Sequence, residues 1–421
     1  ETHADAIDRI HEAGIVEGCA EDRYCPDDSV TRAQMASFLA GALELPPPSG
    51  EHFSDVAGDD EHADNIHALF EAGITQGCTA DSFCPERPMT RAQMASFLNR
   101  AFDIADSDTT YFPAVSGAHH TSINAIADVG VTGGCRPLGL AYCPHEDVRR
   151  DQMATFLARA LELVPRVSIP MQMTPGTSGE HVGQLQILLD GLGYHLAAVD
   201  GIYGNTTEHA VHAFQRVEGI TVDGIYGPET RGALMAGPSP VMASFTTPLQ
   251  PGEARNTNIH LGADYVHGDV IEPGETYSLN AGIGERTRDG GFVEDGFIDA
   301  DGEIIDVVGG GVSQLATTMV NTAWFAGIEL LEFRQHTIYF ERYPMCREGT
   351  LNWNSLDVVF RNDAPHPITI SSTYTSTGVT FTLVGDPWAE VSSWTSEPFD
   401  VEGPDGAFSV ECGRTITYPD G

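Results

Sequence analysis

Ser313 follows three consecutive glycines, Gly309 to Gly311, which themselves follow the apolar-rich run Ile304 to Val308. Behind the serine, Val312, Leu315, Ala316, Met319, Val320 and Ala323 recur at i, i+3, i+4, i+7, i+8 and i+11, the apolar stripe of a helix. Ser313, Thr317 and Asn321, with Gln314 and Thr318 beside them, form its polar face, and Gly327 stands where a left-handed cap would end it. A strand, a glycine turn and a helix start put Ser313 where unpaired backbone N–H groups and the positive end of the helix dipole converge. An anion or a developing oxyanion is stabilised at such a place. A serine nucleophile there needs a general base, and His336 is the candidate, with Asp or Glu to orient it. The structural alternative is that Ser313 caps the helix and the glycines permit a tight turn. Both readings fit the residues.

Arg342 and Arg347, further along, can hold a substrate carboxylate or can pair with surface acids. No HExxH occurs and there is no EF-hand-type loop, so the expectation is of no metal and no cofactor. The elements that must position these groups read mainly as strands: Gly274 to Leu279, Gly302 to Val308, Leu356 to Phe360, Ile368 to Ser371 and Val379 to Val384. One helix begins at Ser313, and a second helical piece runs from near Asn256 through Ile259 to Val266. That is an α+β domain with a sheet and few helices.

With 421 residues the chain is too long for one ordinary domain. Its 61 acids face 21 cations, a formal net charge of −40, and every cation is an arginine. Such a surface repels nucleic acid and anionic membranes, and its even spread suits a protein kept soluble in high salt. No run of 18 apolar residues exists, so no membrane span is expected. Cys19 and Cys25, Cys78 and Cys84, and Cys135 and Cys143 each close a short loop at the same place in a repeat, and Cys346 and Cys412 are left as a fourth pair. An even count in loop-closing spacings reads as disulfides in an oxidising, extracytoplasmic setting. No pair has CxxC spacing, which disfavours zinc. Glu1 opens inside a repeat, so the chain reads as a mature or trimmed form, and its end in strand-like text leaves room for a longer protein.

The first third repeats itself. Thr31-Arg-Ala-Gln-Met-Ala-Ser-Phe-Leu39 returns at Thr90 to Leu98 and, as Arg-Arg-Asp-Gln-Met-Ala-Thr-Phe-Leu, at Arg149 to Leu157, with Met35, Met94 and Met153 each 59 residues apart (94 − 35; 153 − 94). Each unit reads as helix, cysteine loop and second helix, and one such pair cannot bury its own apolar face, so three units must pack together. His3, His62 and His119 share one repeat position, at the start of the first helix. With Phe53-Ser-Asp-Val56 and Phe83-Cys-Pro85, these residues resemble the S-layer homology repeat. The resemblance covers 1–162 (about 1–45, 52–104 and 111–162) and implies an all-α, three-fold pseudo-symmetric module that docks on anionic secondary cell-wall polysaccharide. Arg32, Arg91 and Arg150 at the helix starts are its candidate ligand-binding residues, by guanidinium fork and helix N-terminus together; pairing with nearby acids is the alternative.

A linker at 163–178 precedes a second duplication, Val199-Asp-Gly-Ile-Tyr-Gly204 and Val222-Asp-Gly-Ile-Tyr-Gly227. Residues 179–236 are similar to the small three-helix peptidoglycan-binding domain, and the resemblance makes Tyr203 and Tyr226 candidate groove-lining aromatics, though either can equally be core. After a second linker at 237–244, residues 245–387 resemble the VanW family in Asn256-Thr-Asn-Ile-His260, Pro273-Gly-Glu-Thr-Tyr-Ser-Leu-Asn280, Gly309-Gly-Gly-Val-Ser-Gln314, His336, Arg342-Tyr-Pro344 and Phe360-Arg-Asn-Asp363. Gln314 joins the candidate ligand-binding residues on this basis. The resemblance places the domain at the Gram-positive envelope, and many relatives carry Cys where Ser313 stands. Residues 388–421 form a tail, stapled back if Cys346 and Cys412 pair. The expected protein is therefore multidomain, secreted to the cell wall, and attached to peptidoglycan and a secondary polysaccharide. The competing expectation is a peptidoglycan-modifying acyl-transfer enzyme that uses Ser313 and His336.

Overall fold

A computed structural model describes residues 3–418, apart from 17, 21–22, 195, 197, 299–303, 337–338, 354 and 402–406. The chain divides into two compact units, Glu1–Pro170 and Met171–Gly421.

The first unit holds three helix pairs: α1 (Ala4–Glu12) and α2 (Arg32–Ala42), α3 (Ala63–Glu71) and α4 (Arg91–Ala101), α5 (His120–Asp128) and α6 (Arg150–Ala160). Thr31 and Thr90 cap α2 and α4 in capping boxes with Gln34 and Gln93. Arg149, which replaces the threonine, instead pairs with Asp151 at 2.7 Å. The repeats close on themselves in a ring. Val30 N–H donates to the Val148 carbonyl, Val148 to Met89 and Met89 to Val30, each at 2.8 Å. The repeat histidines close the same ring at the periphery: His62 bonds Ser37 and His119 bonds Ser96 at 2.7 Å, and His3 bonds Thr155 at 2.6 Å. Each ties a first helix to the second helix of the preceding unit, so these histidines are clasps between repeats. Disulfides join Cys19–Cys25, Cys78–Cys84 and Cys135–Cys143.

The second unit begins with α7 (Glu180–Gly191), α8 (Asn205–Val217) and α9 (Pro228–Ala236). The duplicated Asp-Gly turns exist because each wraps a buried glutamine. Gln186 donates to Asp200 (2.8 Å) and Thr207 (3.0 Å) and accepts from Gly201 N–H; Gln215 does the same with Asp223 (2.8 Å), Thr230 (2.9 Å) and Gly224 N–H. Such turns leave little polar surface unpaired, which a helix connector this short could not otherwise achieve.

Eleven strands follow among the described residues: β1 (Val241–Pro248), β2 (Val270–Ile271), β3 (Thr276–Ser278), β4 (Glu294–Ile298), β5 (Ile304–Val308), β6 (Glu329–Glu332), β7 (Val359–Arg361), β8 (Ile368–Tyr374), β9 (Gly378–Val384), β10 (Glu390–Thr395) and β11 (Cys412–Thr417). With them come α10 (Arg255–Val266), α11 (Leu279–Ile283) and α12 (Ser313–Phe325). The main sheet is antiparallel in the order β1-β9-β8-β2; β3-β7-β6 form a smaller sheet, and β4–β5 and β10–β11 are hairpins. Gly302 and Glu303, expected to open β5, lie outside the described residues.

Three expectations change here. Residues 237–244 are only in part a connector, because Val241 to Ser244 already pair with β9 as the start of β1. The three-helix region docks on the strands: Ser244 N–H donates to the Gly193 carbonyl at 2.9 Å, and α8 packs against β8 and β9. The final segment is no loose tail, since Arg414 in β11 donates to the carbonyls of Ala323, Trp324 and Ile328 at the end of α12. The guanidinium thus adds donors at the negative end of the helix dipole, where a cation is favoured.

Candidate functional site

Helix α12 is the centre of the second unit and is buried on every side. Leu315, Ala316, Met319, Val320 and Ala323 face the core, and Thr317, Thr318, Asn321 and Thr322 are as fully buried. The polar face is covered by residues 347–351. Thr317 Oγ1 donates to the Gly349 carbonyl (3.2 Å), and Asn321 Nδ2 to that of Arg347 (2.8 Å). Thr318 and Thr322 hydroxyls donate one turn back along the helix. Polar side chains with such local partners pack inside at little cost, a possibility that the 3.6-residue pattern does not register.

The glycines ahead of α12 are forced by geometry. Gly309 (φ 85°) and Gly311 (φ 87°) adopt left-handed backbone. At Gly310 a Cβ would stand 1.9 Å from the Asp295 carbonyl oxygen, where β4 crosses the turn. Because that obstacle is backbone, Gly310→Ala should destabilise the unit by about 2 kcal/mol or more. The expected readout is a lower denaturation midpoint at unchanged m-value, and an unaltered midpoint would refute it.

Beside this turn lies a cleft of about 560 Å³, lined among others by Arg255, Asp295, Ser313, Gln314, His336 and Arg342. Ser313 is the first residue of α12, and its Oγ accepts the Leu351 N–H at 3.1 Å. His336 Nδ1 bonds Glu348 Oε2 at 3.0 Å, with Glu348 3% exposed, and the imidazole stacks on Tyr343 and meets the edge of Phe340. Serine and histidine thus share one cleft, but among the described residues no hydrogen bond joins them. Gln314 is spent on architecture: its carbonyl accepts from Arg255 (2.9 Å) and Tyr343 (3.2 Å), and its amide donates to Pro248 (2.7 Å) and Thr247 (3.1 Å). Arg342 is exposed at the cleft, its guanidinium 4.8 Å from the Phe340 ring centre and 4.9 Å from that of Tyr343, with no acidic partner among the described residues. In a chain with three acids for every arginine, an unmatched cation over two aromatic faces is suited to a carboxylate ligand.

Two groups of candidates lie elsewhere. Arg347 donates to Ser393 in β10 at 2.9 Å and stacks on Trp324 and Phe325, so it fastens the last hairpin to α12 and is not in the cleft. Tyr203 and Tyr226 are 1% and 0% exposed and belong to the core; the Tyr203 hydroxyl donates to the Gly224 carbonyl. Cys346 and Cys412 are free thiols side by side. Among the described residues, the sets of three metal-capable side chains are Cys19, Cys25 and Asp28, and Asp55, Cys78 and Cys84, whose sulfurs are already bridged.

In the first unit, Arg32, Arg91 and Arg150 are 3–4% exposed and face the neighbouring repeat, donating to the carbonyls of Phe83, Tyr142 and Tyr24 and stacking on those rings. One guanidinium nitrogen of Arg32 and one of Arg91 is buried without a hydrogen-bond partner. Arg91 lines a recess of about 230 Å³ with His3, Glu146, Gln152 and Arg159, and burial lowers the pKa of both arginines. Among the described residues, Arg32 and Arg91 make none of the ion pairs with nearby acids that the sequence allowed.

Three family models match this chain in series. Residues 1–36 and 52–95 match the S-layer homology domain, 178–234 the putative peptidoglycan binding domain, and 254–384 the VanW like protein model. The YoaR protein of Bacillus subtilis (strain 168) is 34% identical over 118 residues, covering 28% of this chain and 39% of the relative. The surface-layer 125 kDa protein of Lysinibacillus sphaericus is 29% identical over 166 residues, 38% of this chain and 14% of that one. A probable N-acetylmuramoyl-L-alanine amidase of Bacillus licheniformis is 36% identical over 111 residues, 22% of this chain and 31% of that one. The chain therefore spans well under half of these relatives. The cleft, with Ser313, His336 and Arg342, lies in the VanW-like region, while of the arginine recess His3 and Arg91 fall within the S-layer homology match and Glu146, Gln152 and Arg159 beyond it.

Proposed function

We propose that this chain is a secreted, wall-attached envelope protein whose VanW-like cleft binds peptidoglycan without turning it over. The succession of S-layer homology, peptidoglycan-binding and VanW-like segments in one chain carries the reading. The S-layer homology unit takes an anionic secondary wall polysaccharide at Arg32, Arg91 and Arg150; the buried, unpartnered guanidinium nitrogens of Arg32 and Arg91 suit an anionic acceptor. The three-helix region binds the glycan or its stem peptides. In the cleft, Arg342 takes a stem-peptide carboxylate, and Ser313 and His336 form the wall around it. A non-catalytic cleft is favoured because Ser313 Oγ already holds the Leu351 amide, and His336 faces Glu348 rather than the hydroxyl. The acid excess suits an organism of high external salt, where dense carboxylates keep a surface hydrated.

Purified sacculi test the attachment: the chain should leave the soluble fraction in high salt, and a soluble fraction unchanged by sacculi would refute it. Muropeptides incubated with wild type and with Ser313→Ala should give identical mass spectra. A new mass made by wild type alone would replace the binding reading with acyl transfer.

A further inference from the structure

We propose that the recess beside Trp353 is a saccharide subsite that stacks a neutral pyranose ring of the wall glycan next to the cleft. The proposal rests on the reading that the cleft engages peptidoglycan.

Residues 350–353 lead from the cleft toward a second recess. Leu351 donates its amide to Ser313 in the cleft, and Leu356 lines both the cleft and a second recess of about 390 Å³. Trp353 and Ser355 lie between Asn352 and Leu356, whose backbones pair in both directions at 2.9 and 3.1 Å. Asn280 braces this tip from below, donating to the Leu356 carbonyl (2.7 Å) and that of Asn352 (3.2 Å). Its own carbonyl accepts from Arg286 Nη2 at 2.6 Å, and the Arg286 guanidinium lies 5.8 Å from the Trp353 ring centre. The indole is thus held at the rim of the recess, 41% exposed. A single exposed aromatic means little; a braced one at the rim of a recess is a binding feature.

The chemistry of the lining selects the ligand. An indole face takes the C–H face of a pyranose by apolar contact, and its edge N–H is a donor. Ser355 and the exposed Glu332 supply hydrogen-bonding groups for sugar hydroxyls. Asp357 accepts from Ser278, Asn280 and Val358, so it holds the floor in place. Two carboxylates in the lining repel an anionic sugar and leave a neutral amino sugar as the fitting ring. A stem peptide on the neighbouring sugar would then cross Leu356 into the cleft.

The test uses the full chain with its four tryptophans replaced biosynthetically by 5-fluorotryptophan, the Trp353 resonance being assigned with Trp353→Phe. A neutral β-1,4 N-acetylglucosamine oligosaccharide should shift the fluorine resonance of Trp353 and leave that of Trp394, 54% exposed on β10, in place. By calorimetry, Trp353→Ala should weaken or remove this binding event by tenfold or more, while Trp353→Phe keeps it within about threefold. An unmoved Trp353 resonance, or one moved only by free stem pentapeptide, overturns the subsite. If the oligosaccharide moves Trp353 but no stem peptide binds, or Arg342→Ala does not weaken its binding, the subsite stands and the cleft reading fails.

Discussion

Mild oxidation of the purified chain should join Cys346 to Cys412 and raise the stability of the second unit by about 4 kcal/mol. The two thiols lie within hydrogen-bonding reach, so closure needs little backbone movement. The bridge would close a loop of 66 residues (412 − 346), far longer than the three loops already bridged, and the entropy removed from the unfolded chain grows with loop length. Cys346 sits just before Arg347 and Glu348, and Cys412 opens β11, so this bond would fasten the last hairpin to the segment that orients His336. Burial, with Cys412 alongside, pushes the Cys346 thiol up to about 12, which keeps it protonated and slow to exchange at neutral pH. Thiol titration should find two groups before oxidation and none after, with a higher denaturation midpoint. Cys412→Ser should show no such gain, and a midpoint that oxidant leaves unmoved in the parent chain would refute the prediction.

Acidification should loosen the same unit at another place. His209 on α8 is 5% exposed, and its Nε2 meets the hydroxyls of Thr375 (2.9 Å) and Thr377 (3.0 Å) in the turn between β8 and β9. Burial lowers its pKa from 6.5 to about 4, with nearby His212 pushing the same way. The folded ring stays neutral where the unfolded chain already binds a proton. The stability it contributes is therefore complete above about pH 6.5 and is lost as the pH falls through about 4. Across that window the loss is about 3 kcal/mol, at 1.36 kcal/mol for each pH unit between the two values. Denaturant midpoints at pH 7 and pH 4.5 should differ less for His209→Gln than for the parent chain. Carboxylates titrate in the same range, so the difference between the two proteins is the quantity to read. An equal pH response in both would show that His209 carries none of it.

Much of the architecture was legible because it is local and repeated. The 59-residue recurrence marked three helix pairs, and the shared positions of the cysteines within it marked loop bridges; the histidines were legible only as helix-start residues, not as clasps between repeats. The Asp-Gly turns marked a duplicated helix connector, although the glutamines that they enclose lie 14 and 8 residues away and went unread. The strand-like runs led to β3, β5, β7, β8 and β9, and β11 falls in the strand-like end of the chain, while β6 and β10 had no clear alternation to reveal them. In the cleft, the glycine turn and Ser313 could be found from spacing alone. Arg347 could not be separated from Arg342, since two arginines five residues apart look alike until one is seen to stack beneath a hairpin and the other to face a cavity.

The order of the modules, the helix behind Ser313, the three loop disulfides and the acidic, arginine-only surface were all determined by the sequence itself, because each depends on residue type or on spacings shorter than one repeat. Tertiary structure alone decided that Ser313 is bonded to Leu351 and not to His336, that the polar side of α12 is buried, and that the three-helix region rests on the sheet. Those outcomes depend on how segments tens of residues apart satisfy one another's hydrogen bonds, and a period along the chain carries no record of that pairing.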